Sequence, residues 1–195
     1  EMGHPVGVVL SWYARAAAKQ HPEALNNLAL LEEDKGESAR VALFKAALSG
    51  LPEAQYNYAV MCEEEGDYDS AAHWWAEAAA RGNRSAMYNL GVMHSWGHGV
   101  PASMEAASEC FEMAATAREK VSTSNSTKDE DETLRTEALF RVGLAHLYSL
   151  GRPRSLKRAG AMFYDCASRG HAPSARELEI MMKTYRAAMP LPCSN

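Results

Sequence analysis

Ala86-Met87-Tyr88-Asn89-Leu90-Gly91 is one version of a phrase that recurs along the chain. Ala24-Leu25-Asn26-Asn27-Leu28-Ala29 and Ala54-Gln55-Tyr56-Asn57-Tyr58-Ala59 precede it, and Ala138-Leu139-Phe140-Arg141-Val142-Gly143 follows. A weaker copy opens at Ser174. Each phrase is answered downstream by a second block: Leu43-Phe44-Lys45-Ala46-Ala47, Trp75-Ala76-Glu77-Ala78-Ala79, Phe111-Glu112-Met113-Ala114-Ala115 and Phe163-Tyr164-Asp165-Cys166-Ala167. An earlier copy, Tyr13-Ala14-Arg15-Ala16-Ala17, stands before the first full unit. Self-similarity at this period is the signature of a stacked-repeat architecture.

Apolar residues of the first block fall on one face at helical spacing. The second block sets a large residue before paired alanines, which let neighbouring helices approach closely. Gly36, Gly66, Gly97 and Gly151 interrupt the chain between the two helices, and Gly50, Gly82 and Gly170 close the second one, where a left-handed cap favours glycine. Asp67 or Asp69, with Ser70, can cap the helix that follows. One helical pair cannot bury both its faces, but stacked copies can. The expected fold is therefore all-α, a solenoid of helix pairs. Its units are a partial repeat 1–23, repeats 24–53, 54–85, 86–137 and 138–173, and a partial repeat 174–195.

Composition agrees. The 195 residues are 47% hydrophobic and 23% charged, ordinary for a folded chain and unlike a disordered one. Net charge is −5, so a general phosphate-backbone binder, which needs clustered Lys and Arg, is disfavoured. No stretch is long and apolar enough to span a membrane. Cys62, Cys110 and Cys166 read as small buried residues on helices. No CxxC pair exists, and a disulfide between distant cysteines, Cys193 included, stays open. Two Asn-x-Ser/Thr triplets, at Asn83 and Asn125, matter only in a secreted chain.

The third unit, with Leu90-Gly91, then Gly97-His98-Gly99-Val100, then Phe111 and Ala114-Ala115, resembles a Sel1-like repeat. The second, with Tyr56-Asn57 and Glu65-Gly66-Asp67-Tyr68-Asp69, equally resembles a tetratricopeptide repeat. Only the third unit has the whole Gly-x-Gly-Val turn; the fourth has Gly151-Arg152-Pro153 instead. The resemblance covers roughly 6–187 and implies a right-handed α-α superhelix that serves as a protein-binding scaffold or adaptor. It also implies that the first helices line the concave face. There the column Asn27, Asn57, Asn89, Arg141 is the expected partner site, flanked by Tyr56 and Tyr88. Carboxamides can pair with the backbone of an extended peptide, and Arg141 would offer a fork for a carboxylate. The opposing reading makes the asparagines structural. Tyr56, Tyr88 and Phe140 read first as packing residues, as does Trp75. Trp74 is expected to be partly exposed, and Trp12 belongs to the half unit at the start.

The third spacing exceeds the fourth because of a polar insertion near 118–136. Its stretch 121–132 is expected to be an exposed or mobile loop, a tolerated insertion or a regulated segment. His94 and His98 stand four apart, but Gly97 intervenes. His94 shares a repeat column with His146, so a packing role outweighs a metal site. No GxSxG, P-loop, HExxH or GxGxxG is present, and neither cofactor nor catalysis is expected. The alternatives to an adaptor are a structural or assembly subunit of a larger complex and, distantly, an enzyme. The chain opens on Glu1, so an upstream targeting segment would be missing. Cytoplasm is the favoured compartment, with mitochondria and the endoplasmic reticulum as the other readings.

Overall fold

The repeat phrases become helices because their ends are marked in the sequence. A computed structural model describes residues 5–31, 36–117 and 128–188. It holds α1 (Pro5–Ala17), α2 (Pro22–Leu31), α3 (Glu37–Leu48), α4 (Pro52–Glu64) and α5 (Tyr68–Ala80). These are followed by α6 (Arg84–Trp96), α7 (Met104–Thr116), α8 (Lys128–Tyr148), α9 (Leu156–Ser168) and α10 (Ala172–Ala188). No strand occurs among the described residues. Pro22 and Pro52 open α2 and α4, where the missing N–H costs nothing. Asp67, Asn83, Ser103 and Ser155 cap α5, α6, α7 and α9, each side chain accepting a hydrogen bond from the backbone N–H three residues on.

Each helix packs on the one before it and the one after it. In addition α2 rests on α4, and α6 on α8. First helices therefore touch directly across repeats, which puts them on the short, inner side of the stack. The architecture is the all-α, right-handed α-α solenoid that the repeats imply.

The core follows the repeat columns. Leu43, Trp75, Phe111 and Phe163 occupy one column, and all are buried; Trp75 is 1% exposed. Burying a side chain of this size stabilises by about 1.5–3 kcal/mol. The glycine of the Leu-Gly phrase is the floor for the ring: a Cβ on Gly91 would stand 2.8 Å from Phe111, and one on Gly143 would stand 2.6 Å from Phe163. Trp74 is half-buried against Phe44 and Tyr58, with ring centroids 6.0 and 5.6 Å away. Cys62, Cys110 and Cys166 are buried free thiols. Burial pushes the Cys110 thiol up to about 11, which keeps it protonated and unreactive. Cys193 lies outside the described residues.

His94 and His146 have the same structural job. The Nδ1 of His94 lies 3.4 Å from the Pro101 carbonyl, and that of His146 lies 3.2 Å from the Pro153 carbonyl. Each ties the end of a first helix to the long turn leaving it. That turn then lies on the start of the preceding second helix. Gly99, at φ +64°, lies against the Tyr68 carbonyl, and Gly151, at φ +67°, against Met104 and Glu105.

The insertion departs from the expected loop. Residues 118–127 lie outside the described ones, but from Lys128 onward the chain is helical, so the loop reading fails for 128–132. Asp129, Glu130 and Asp131 sit in the first turn of α8, where negative charge opposes the positive end of the helix dipole. Tertiary partners complete the case: Asp131 pairs with Arg84 and Glu132 with Arg169. Polarity alone could not reveal these partners.

Candidate interaction cleft

The N-terminal half of the inner side is cut by a cleft of about 550 Å³ between α2, α4, the start of α6 and the start of α8. Its floor is a run of carboxamides. Asn57 donates from Nδ2 to Oδ1 of Asn26 at 2.8 Å, and Asn26 donates in turn to Oδ1 of Asn27 at 3.2 Å. Asn26 holds the column position that Tyr56, Tyr88 and Phe140 fill elsewhere, and it is 6% exposed. The expected partner site took in Tyr56 and Tyr88 of this column but not Asn26. Its polar character in a buried site is satisfied by Asn57, across the contact between α2 and α4.

The wall at the C-terminal side comes from the insertion. Asp131 and Leu134 of α8 line the cleft. Arg84, at the first position of α6, fixes that wall. Its Nε donates to Asp131 at 2.8 Å, its Nη2 to the Ala117 carbonyl at 2.7 Å, and its Nη1 to the Ala114 carbonyl. One buried guanidinium thus closes the C-terminus of α7 and holds the N-terminus of α8. Arg135 adds a second tie, from Nε to the Ala115 carbonyl at 3.2 Å.

The six expected site residues separate into groups. Asn27, Tyr56 and Asn57 line the cleft together. Asn89 of α6 is the side-chain hydrogen-bonding neighbour of the Tyr56 hydroxyl on α4. Burial raises the Tyr56 pKa above its usual value, and the Asn89 bond opposes that rise. Tyr88 packs on Phe111 with centroids 5.3 Å apart, and its hydroxyl lies 3.4 Å from Glu137. Burial raises its pKa too. Arg141 donates from Nε to the same Glu137 carboxylate at 3.0 Å. Glu137 also meets Nε2 of His171 at 3.2 Å. Glu137 is therefore the shared acceptor of Tyr88, Arg141 and His171, a role no repeat column signalled.

Arg141 also borders a second cleft, of about 340 Å³, with Val92, Trp96, Met104 and Leu144. Trp96 is 73% exposed. Trp12 is exposed as well, with the Arg15 guanidinium over its ring at 5.4 Å. No group of three or more potential metal ligands exists among the described residues. No helix there is long and apolar enough to cross a membrane.

With this geometry in view, the relatives are informative. The family described as Sel1 repeat matches residues 52–83, 84–118 and 136–170, just over half of the chain. Among solved structures, one similar chain is c5321, described as a protective antigen present in uropathogenic Escherichia coli strains displaying an SLR fold. The identity is 24% and the TM-score 0.71, covering 90% of this chain and 36% of that one. Another is a Sel1 repeat protein from Oxalobacter formigenes, at 21% identity and TM-score 0.68, covering 93% of this chain and 70% of that one. The present chain thus spans about a third of the antigen's length. No curated protein matches. Sel1-repeat proteins are generally protein-interaction scaffolds, and their solenoid is typically non-catalytic. Three matched repeats, in the helix pairs that carry the Leu-Gly and aromatic-Ala-Ala columns, show that the chain belongs to the Sel1 repeat family.

Proposed function

We propose that this chain is an interaction scaffold whose inner cleft holds an extended segment of a partner protein. The observation that carries this reading is the cleft between α2, α4 and α8, floored by Asn26, Asn27 and Asn57 and edged by Tyr56. Its polar floor and apolar edges at Leu30, Leu51 and Leu134 suit a peptide, which brings both backbone amides and side chains. A partly formed ladder leaves hydrogen-bonding capacity: among the described residues, the Asn57 Oδ1 and the Asn27 Nδ2 make no hydrogen bond.

The test is a displayed library of random linear peptides panned on the purified chain, with hydrogen exchange locating the binders. Protection concentrated on α2, α4 and the first turns of α8, lost in Asn27→Ala with helicity unchanged, supports the reading. Binders that protect only α1 or α9–α10, or an Asn27→Ala variant that binds as before, overturn it.

A second reading, a subunit fixed in a larger assembly, is favoured by a different observation. Val8, Val9 and Trp12 are exposed on α1, and Ile180 and Met182 on α10. Apolar surface at both ends of a stack is where further elements would add. Under this reading the ends, not the cleft, would be protected in the native assembly.

A further inference from the structure

We propose that the outer face of α1 seats an amphipathic helix of a second protein, one with a small residue at its centre and a carboxylate in its first turn. This site is separate from the inner cleft and does not depend on it. The repeat columns say what belongs on the face. α1 is a second helix by its sequence: Tyr13 stands where Leu43, Trp75, Phe111 and Phe163 stand in the full units. Those four are buried, whereas Tyr13 is only half-buried. Four residues earlier, every full unit has an alanine that is at most 2% exposed; in α1 the position is Val9, 44% exposed. One residue earlier, the full units have buried or half-buried side chains, and Trp74 lies edge-on to Tyr58 of its own first helix. In α1 this position is Trp12, 64% exposed. The open stripe on α1 is thus the stripe that a first helix covers in each full unit.

The covering helix always brings a small residue to the ring. Ala29, Ala59, Gly91 and Gly143 hold that position and are buried. A Cβ on either glycine would press into the ring it receives. Among the described residues, a second copy of this chain has no such helix to give. In α2, α4, α6 and α8 the small residue already lies buried in its own unit. In α10 the same position is Glu179, which pairs with Lys183 at 2.6 Å, so α10 offers no seat for the Tyr13 ring. The occupant is therefore a helix from another protein. Charge narrows it further. No acidic residue occurs from Pro5 to Ala17, and the C-terminal end of α1 presents exposed Arg15 and, just beyond it, Lys19. Helices joined by a short turn run antiparallel, so the first turn of a covering helix lies beside these two cations. Glu23 and Glu53 occupy the first turns of α2 and α4, and a carboxylate there in the partner meets Arg15 and Lys19.

The experiment titrates the full chain with a labelled peptide of the α4 sequence, residues 52–65, carrying Cys62→Ala and cross-linked to hold it helical. It stands in for a partner helix with a small centre, Ala59, and a first-turn carboxylate, Glu53. Fluorescence anisotropy reads binding, and hydrogen exchange locates it. The peptide should protect α1. Ala59→Leu in the peptide should weaken binding about tenfold or more, because the ring then meets a bulky side chain. Glu53→Lys in the peptide should weaken it at low salt and less at high salt. In the chain, Trp12→Ala and Val9→Glu should each cost about tenfold with helicity unchanged. A peptide that leaves α1 unprotected, or binds equally well with Ala59→Leu, overturns the proposal. So does self-association that protects α1 as concentration rises, since a second copy then holds the face. Protection of α1 in the dilute monomer without peptide overturns it too, since the face is then covered from within the chain. None of these outcomes bears on the inner cleft, whose own test reads α2, α4 and α8.

Discussion

The first two full repeats and the last two use the same columns for different ends. In the third and fourth units, Gly91 and Gly143 receive Phe111 and Phe163, and His94 and His146 tie down long turns. Tyr88 packs on Phe111, and Phe140 packs on Phe163 with centroids 5.7 Å apart. There the inner-face aromatic column is spent on packing. In the first unit the same column holds Asn26, bonded to Asn57 of the second, and the surface above is a polar recess. The turns differ in parallel. The second unit turns in a few residues at Gly66-Asp67, where the third needs a long turn laid across α5. One frame therefore carries a rigid half and a half with polar groups left to offer, which is how a repeat fold acquires a site without losing its stacking.

The sharpest way to break this contrast is at the turn glycines. Both Gly66 and Gly99 have positive φ, +82° and +64°. A Cβ on Gly66 would meet nothing within 4 Å, whereas one on Gly99 would run into the backbone of Tyr68 and Asp69. Gly66→Ala should cost only the left-handed strain, about 1–2 kcal/mol. Gly99→Ala adds an overpacking cost against main chain that cannot rotate away, for a total of roughly 2–5 kcal/mol. Urea unfolding of both variants reads the difference directly. Equal losses would mean that the long turn is not a packed element, and the claimed rigidity of the third unit would fall.

Much of this frame was legible from the chain alone. The repeat phase, the aromatic column at Trp75, Phe111 and Phe163, the buried cysteines and the turn glycines all follow from periodicity and residue type. They are local facts or repeated ones. What escaped is unrepeated and distant: Asn26 breaks its own column, and Arg84 reaches Asp131 across 47 residues. Glu137 collects partners from α6, its own helix α8 and the turn before α10. Periodicity tells which face a residue occupies, not which side chain it will meet there. The polar stretch 128–132 shows the same limit, since its helix depends on Arg84 and Arg169, which no composition count places beside it.

The carboxamide floor gives a smaller, more specific test. Asn57→Ala removes the donor to a buried acceptor on Asn26, and should cost about 1–2 kcal/mol. Asn26→Ala alone should cost a similar amount. The double variant should cost less than the two together, by roughly 0.5–1.5 kcal/mol, because each single change strands the other partner. The equivalent pair at Asn89 and Tyr56 should behave alike if it is also structural. Strict additivity at Asn26 and Asn57 would deny the ladder and return Asn57 to a purely outward-facing role.

The smallest expected effect is the one that separates the short turn from the long ones by charge. Asp67 caps α5 by accepting from the Ser70 N–H at 3.1 Å, while the caps after the long turns, Ser103 and Ser155, are neutral. The hydrogen bonds from Ser70 hold the Asp67 carboxyl below its ordinary 3.8, with Arg40 adding a weaker pull in the same direction. A group whose folded pKa is depressed contributes stability that is complete above its unfolded value and disappears as pH falls through the folded one. Asp67 should therefore weaken the second unit only on the acid side of 3.8. Asn is as good a cap and does not titrate, so Asp67→Asn should match the wild type in strong acid and fall slightly behind it near neutrality. The difference between their urea midpoints, followed from about pH 2.5 to 7, should open across this acid window and stay constant above it. A difference that is flat throughout would mean that the charge contributes nothing, and that the short turn is held, like the long ones, by neutral hydrogen bonds alone.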